Sequence, residues 1–94
     1  MKTICRLEDF IVPNVSLYLY PDTTPITILD DRTIIGDPAN PELYIMDCTT
    51  SNCVLKENVS DPVEWFGWKY TYTDADGWEL NPNWEPPQPP PALI

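Results

Sequence analysis

The chain has no histidine, five basic residues and three glycines among 94. Each shortage excludes something. Without imidazole there is no Ser-His-Asp or Cys-His nucleophile pair, no histidine-ligated metal, and no side chain that titrates unperturbed near neutrality. Lys2, Arg6, Arg32, Lys56 and Lys69 stand singly against 15 acidic residues, for a formal charge of −10. Nucleic acid and anionic membrane surfaces need clustered cations, so the charge balance argues against both as partners. Long apolar runs are missing too. Phe10–Val12 and Ile34-Ile35 fall far short of the roughly 20 residues that span a bilayer. The opening Met1-Lys2-Thr3-Ile4-Cys5-Arg6 lacks the apolar stretch of about 7–15 residues that marks a secretory signal, so synthesis and assembly inside a cell, in its cytoplasm, are expected.

A chain of this length has room for one domain and buries only about 60–65% of its unfolded surface, which disfavours a deep enclosed active site. Three cysteines, Cys5, Cys48 and Cys53, are an odd and irregular set with no disulfide framework. Cys48 and Cys53 could seat a metal with Cys5 as third ligand, but no second Cys pair or His pair supports it, and no cofactor or metal is expected. Asn14-Val15-Ser16 and Asn58-Val59-Ser60 match the N-glycosylation pattern; without a secretion signal they read as chance.

What the chain has in abundance is proline, 12 residues, and its spacing leaves little room for an amphipathic helix. In the open windows the period is two. Val15, Leu17 and Leu19 alternate with Ser16, Tyr18 and Tyr20, a strand pattern. Ile26–Leu29 and Arg32–Ile35 flank Asp30-Asp31 as a hairpin candidate, and Gly36–Pro41 is a dense turn cluster before the extended run Leu43–Met46. Cys53-Val54-Leu55 is a further short run. Trp68, Tyr70 and Tyr72 then alternate with Lys69, Thr71 and Thr73, and Asp74-Ala75-Asp76-Gly77 supplies a hairpin turn with Gly77 in the left-handed position. The reading is an all-β fold of about six to seven short strands, a small antiparallel sandwich or open barrel built from hairpins. It places a β domain over residues 1–81 and an extended proline-rich polyproline II arm over 82–94.

Two acidic constellations invite chemistry and fail on geometry. Asp74-x-Asp76-Gly77 resembles part of a calcium loop, but in that register the first and last ligand positions are Tyr72 and Asn83. Glu64, Glu79 and Glu85 could be cast as a glycosidase pair, yet that chemistry needs two carboxylates about 5–10 Å apart across a substrate groove. No enzyme is expected. The aromatic stretch is more informative, since all four tryptophans lie in residues 65–84. Trp68 and Trp78 are expected in the core, while Trp65, Trp84 and Tyr72 are expected to meet a protein partner. The arm extends that surface: Pro86, Pro87, Pro89, Pro90 and Pro91 are prestiffened for docking, with Leu93 and Ile94 as an apolar anchor.

Ile35-Gly36-Asp37-Pro38, Ile45-Met46-Asp47-Cys48, Trp68-Lys69-Tyr70 and Gly77-Trp78-Glu79-Leu80-Asn81-Pro82-Asn83-Trp84 make the chain similar to small structural proteins of tailed bacteriophages, especially cyanophages. The opening Met1–Asp9 followed by Val12–Val15 fits the same type. The hairpin tip Asp74–Gly77 departs from it, being longer and more acidic than the usual Asp-Gly turn. The resemblance implies a non-catalytic component of the virion, with a larger capsid, tail or fibre protein as partner and possibly neighbouring copies of itself. It would serve as capsid decoration or cement, or as a tail, baseplate or fibre accessory, and it assigns no residue a role. Two alternatives stand beside it: an acidic DNA mimic that inhibits a host nuclease, and a carbohydrate-binding tip that uses Trp65, Trp84 and the tyrosines.

Overall fold

Residues 1–7, 13–62 and 64–85 are described by the computed structural model. Eight strands form, with no helix among the described residues: β1 (Lys2–Arg6), β2 (Val15–Tyr20), β3 (Ile26–Ile28), β4 (Thr33–Asp37), β5 (Asn40–Ile45), β6 (Cys53–Lys56), β7 (Tyr70–Thr73) and β8 (Gly77–Leu80). They pair antiparallel in two sheets, β6-β1-β2-β7-β8 and β3-β4-β5. The fold is therefore all-β and made of hairpins, with two sheets where a barrel would have one. Of the proline-rich arm expected over 82–94, residues 82–85 are described, and they begin with a turn in which the Trp84 amide donates to the Asn81 carbonyl at 3.1 Å; residues 86–94 lie outside the described residues.

Local turn chemistry explains the hairpins. Asp30-Asp31 closes β3 onto β4, with the Leu29 amide donating to the Arg32 carbonyl at 2.7 Å and Ile26 paired with Ile35. Gly36–Pro41 is mostly ladder, because only Pro38-Ala39 turns the chain between the paired residues Asp37 and Asn40. Gly77, at φ +69°, ends the three-residue loop between β7 and β8 and pairs with Thr73, the left-handed closure that only glycine adopts without strain.

The eighth strand, β1, escapes the period-two reading and sits inside the larger sheet, between β6 and β2. Thr3, Ile4 and Cys5 are all fully buried, so there is no polar alternation to detect. On one side the two sheets share an apolar core: Ile4, Val15, Leu17 and Cys53 meet Ile35, Ile45 and Cys48, with Tyr20, Ile26, Ile28 and Leu55 packed around them. A bulge between Ile4 and Cys5 shifts the β1–β2 register by one residue. Strict alternation along β2 would group Leu19 with Val15 and Leu17; the bulge instead turns Tyr20 onto the core.

The polar side chains of the two central strands, Thr3 and Ser16, are buried and bond to each other. The Trp65 indole N–H can only donate, and it donates to Ser16 Oγ at 3.0 Å. Ser16 Oγ and Thr3 Oγ1 lie 2.6 Å apart, and Thr3 Oγ1 donates to the Tyr18 carbonyl at 2.8 Å. Only one proton direction satisfies all three contacts: Trp65 to Ser16, Ser16 to Thr3, Thr3 to the backbone. This chain fastens Trp65 to β1 and β2. Val59 adds a backbone bond to the Met1 carbonyl at 2.9 Å and is itself buried.

Ser16→Ala leaves the Trp65 N–H without its acceptor and Thr3 without its donor. The expected cost is about 1–3 kcal/mol, read as a lower urea midpoint with an unchanged slope. A midpoint equal to the parent's would show that the bonded chain contributes nothing.

Candidate functional site

The β2–β7 ladder is short. Its one paired position is Val15 with Thr71, extended by backbone bonds from the Tyr72 amide to the Asn14 carbonyl and from the Trp68 amide to the Ser16 carbonyl, each 3.0 Å. Beyond Ser16 the partner chain turns away through Phe66-Gly67-Trp68-Lys69, where the Lys69 amide donates to the Phe66 carbonyl at 3.0 Å. The departure leaves the end of β2 uncovered and opens a pocket of about 210 Å³ lined by Arg6, Leu17, Tyr18, Asp47, Gly67 and Trp68.

Trp68 is the unusual member. It adopts φ +72°, and at the third position of a four-residue turn a positive φ calls for glycine, which here stands one residue too early, at Gly67. A bulky residue in the left-handed region costs about 1–2 kcal/mol. Neighbouring bonds hold it there: the Ser16 carbonyl takes its amide proton, and the buried Asn81 donates its side-chain amide to the Trp68 carbonyl at 3.0 Å. Asn81 also accepts from the Asn83 amide through its side chain, at 3.0 Å. The expectation that Trp68 lies in the core, in one strand with Tyr70 and Tyr72, is thus corrected: β7 begins only at Tyr70, and Trp68 is 44% exposed. Trp78, also expected in the core, is half-buried and stands outside the buried cluster.

Asp47 reaches the pocket from the loop after β5. That loop is fixed by Asn52, whose side chain donates to the Asp47 carbonyl at 2.8 Å and accepts from the Thr49 amide at 2.9 Å, and by Thr33, whose hydroxyl donates to the Cys48 carbonyl at 2.9 Å. Arg6 ends β1. Burial, then the neighbouring Cys48 and Asp47, raise the Tyr18 phenol above its ordinary pKa, so it remains a neutral hydroxyl at physiological pH.

The residues assigned to partner binding are spread over separate places. Trp65 is half-buried and bonded to Ser16. Tyr72 is half-buried, with its ring 5.0 Å from that of Trp78, which also meets Tyr70 at 6.0 Å and donates its indole N–H to the Ser60 carbonyl at 2.8 Å. Trp84 is half-buried, 6.2 Å from Phe66, with the Lys69 ammonium 5.2 Å from its ring centre. No ring contact joins these three residues to one another among the described residues. Pro86, Pro87, Pro89, Pro90, Pro91, Leu93 and Ile94 lie outside the described residues. Arg6, Tyr18 and Asp47 carried no local signal, because the pocket gathers residues far apart in sequence; the one hint was the order Gly67-Trp68, which reverses what a turn prefers.

The cysteines are core residues. All three are free and buried, and burial pushes the Cys5 thiol up to about 11 and the Cys48 thiol, hydrogen-bonded to Cys53, up to about 12. Protonated thiols are poor nucleophiles and poor metal ligands. Among the described residues no three His, Cys, Asp or Glu side chains converge to hold a metal ion. The acidic hairpin tip is tied locally, with Lys56 3.1 Å from Asp74 and the Asp76 amide donating to Thr73 Oγ1 at 3.0 Å. No protein-family model matches the chain, and no curated protein or solved structure matches it.

Trp68→Gly and Trp68→Ala lose the same indole yet differ in stability. The glycine variant is expected to be more stable than the alanine variant by about 1 kcal/mol in urea unfolding, because glycine alone accepts φ +72° freely. Equal stabilities, or a more stable alanine variant, would contradict a left-handed Trp68.

Proposed function

We propose that the chain is a non-catalytic structural component of a tailed-phage virion that docks on a larger virion protein. The observation that carries the docking is the open edge of the three-stranded sheet. Among the described residues β5 has a partner only in β4, and on or just after it Leu43, Tyr44 and Met46 are 51%, 48% and 58% exposed. An unpaired edge with large apolar side chains is a template for strand addition, the backbone supplying affinity and the side chains specificity. The Arg32 guanidinium lies 5.3 Å from the Tyr44 ring centre and orients it.

Charge bears on the choice of partner. A formal charge of −10 opposes close association of identical copies and favours a partner with a basic rim. Among the described residues five of the acids, Asp22, Asp31, Glu57, Glu64 and Asp74, already face a cation of the chain at 2.8–3.9 Å, the N-terminal ammonium included. A DNA mimic would display its carboxylates densely and unpaired, so this arrangement lends the nuclease-inhibitor reading no support. The assignment to a phage particle, as capsid decoration or as a tail, baseplate or fibre accessory, rests on the motif likeness together with this docking edge. The proline-rich segment 86–91 and the apolar Leu93 and Ile94 would extend the contact along a neighbouring subunit.

Mass spectrometry of gradient-purified virions is expected to find the chain at a fixed stoichiometry that follows either the capsid lattice or the tail symmetry. The double substitution Leu43→Lys, Tyr44→Lys is expected to abolish incorporation while leaving the circular dichroism spectrum and thermal melting of the free protein near those of the parent. Absence from virions overturns the particle assignment. Undiminished incorporation of the folded variant overturns the β5 edge as the docking surface.

A further inference from the structure

The pocket at the end of β2 brings together two charged groups that do not use each other. Lys2, Arg32, Lys56 and Lys69 each lie 2.8–3.9 Å from a carboxylate of the chain. Among the described residues Arg6 has no such partner, although Asp47 lines the same pocket. The Asp47 side chain is likewise in no ion pair or hydrogen bond among the described residues; its loop is held through its backbone carbonyl. A guanidinium is a fork of donors with no acceptor, and a carboxylate is an acceptor with no donor. A ligand that satisfies both must offer hydrogen-bond acceptors and donors side by side.

The walls add a second requirement. Tyr18 and Trp68 are 37% and 44% exposed, and with Leu17 they give the pocket apolar and aromatic surface. Gly67 leaves the rim low, since even a Cβ there would make only ordinary contact with the Leu17 carbonyl at 3.5 Å. A small site of this kind, apolar walls with a few convergent polar groups, recognises a compact ring that is apolar on one face and polar at its edge. The charge of −10 repels anionic ligands at long range and leaves uncharged ones unaffected.

We infer that this pocket is a binding site for a neutral saccharide residue. The C–H face of the sugar lies against Trp68 and Tyr18, Arg6 donates to its hydroxyl oxygens, and Asp47 accepts from its hydroxyl protons. The strain at Trp68 then has a use, because the left-handed turn keeps Trp68 out of the β7 ladder and among the residues that line the pocket. The inference stands on different residues from the β5 edge and does not depend on the virion reading.

The test is a titration of the full chain, by NMR, with the methyl glycosides of glucose, galactose and mannose. Methyl glucuronide and N-acetylglycinamide are run in parallel as an anionic sugar and a neutral amide. At least one neutral glycoside is expected to shift the Trp68 indole N–H resonance at millimolar concentration, leaving those of Trp78 and Trp84 in place. Asp47→Asn, an isosteric change at an exposed position, is expected to weaken that binding about tenfold, the loss that accompanies one charge-assisted hydrogen bond. Trp68→Gly is expected to remove it. The inference is overturned if no neutral glycoside shifts Trp68, if the glucuronide alone binds, if N-acetylglycinamide binds as well as the sugars, or if Asp47→Asn binds like the parent.

Discussion

A strand covered on both faces must settle each of its polar side chains inside the protein, and β1 is that strand. Ile4 meets the three-stranded sheet through the apolar core, while Thr3 shares the hydrogen-bonded chain that ends on Trp65. An unpartnered hydroxyl or indole N–H at such a depth costs about as much as a good buried contact contributes. The Trp65–Ser16–Thr3–Tyr18 chain removes that cost with one consistent proton direction, and no buried side-chain N or O atom among the described residues lacks a partner. Trp65, which lies outside the strands, thereby closes this chain over the polar side chains of β1 and β2.

That solution shapes the surface. Because Trp65 is drawn onto Ser16, the chain that follows must turn sharply to enter β7, and the turn falls on Gly67-Trp68. The β2–β7 ladder is left with one paired position, Val15 with Thr71. The pocket of Arg6, Tyr18, Asp47 and Trp68 is the gap this leaves, and Asn81 braces it from behind through the Trp68 carbonyl. At the other sheet the edge of β5 has no further partner among the described residues, and Leu43 and Tyr44 are exposed. One constraint, the two-sided burial of β1, thus accounts for the strained tryptophan and the pocket beside it, while the edge proposed for docking belongs to the smaller sheet.

What the sequence made legible was local. The β3–β4 and β7–β8 hairpins follow from β-favouring runs around Asp30-Asp31 and from Gly77, and both form around the expected turns. β1 was illegible for a physical reason: two-sided burial erases alternation, and Thr3-Ile4-Cys5 between Lys2 and Arg6 resembles neither an amphipathic strand nor a long apolar run. Trp68 was misplaced because period two holds only while a ladder lasts, and Tyr70 is the first residue of β7. The alternation of Tyr70 and Tyr72 was real; its extension backwards by two residues crossed a turn. Arg6, Tyr18 and Asp47 converge through pairings and loop bonds between distant segments, which no local pattern encodes.

The central claim is that β1, β2 and the Trp65 contact form one unit, with the β7–β8 hairpin attached more weakly. Native-state hydrogen exchange followed by NMR tests it directly. Amides paired between β1 and β2, and with them the Trp65 indole N–H, are expected to exchange only through global unfolding, while amides of β7 and β8 open at lower free energy. A Trp65 indole that exchanges as fast as an exposed one, or a hairpin protected as strongly as β1, would contradict the account.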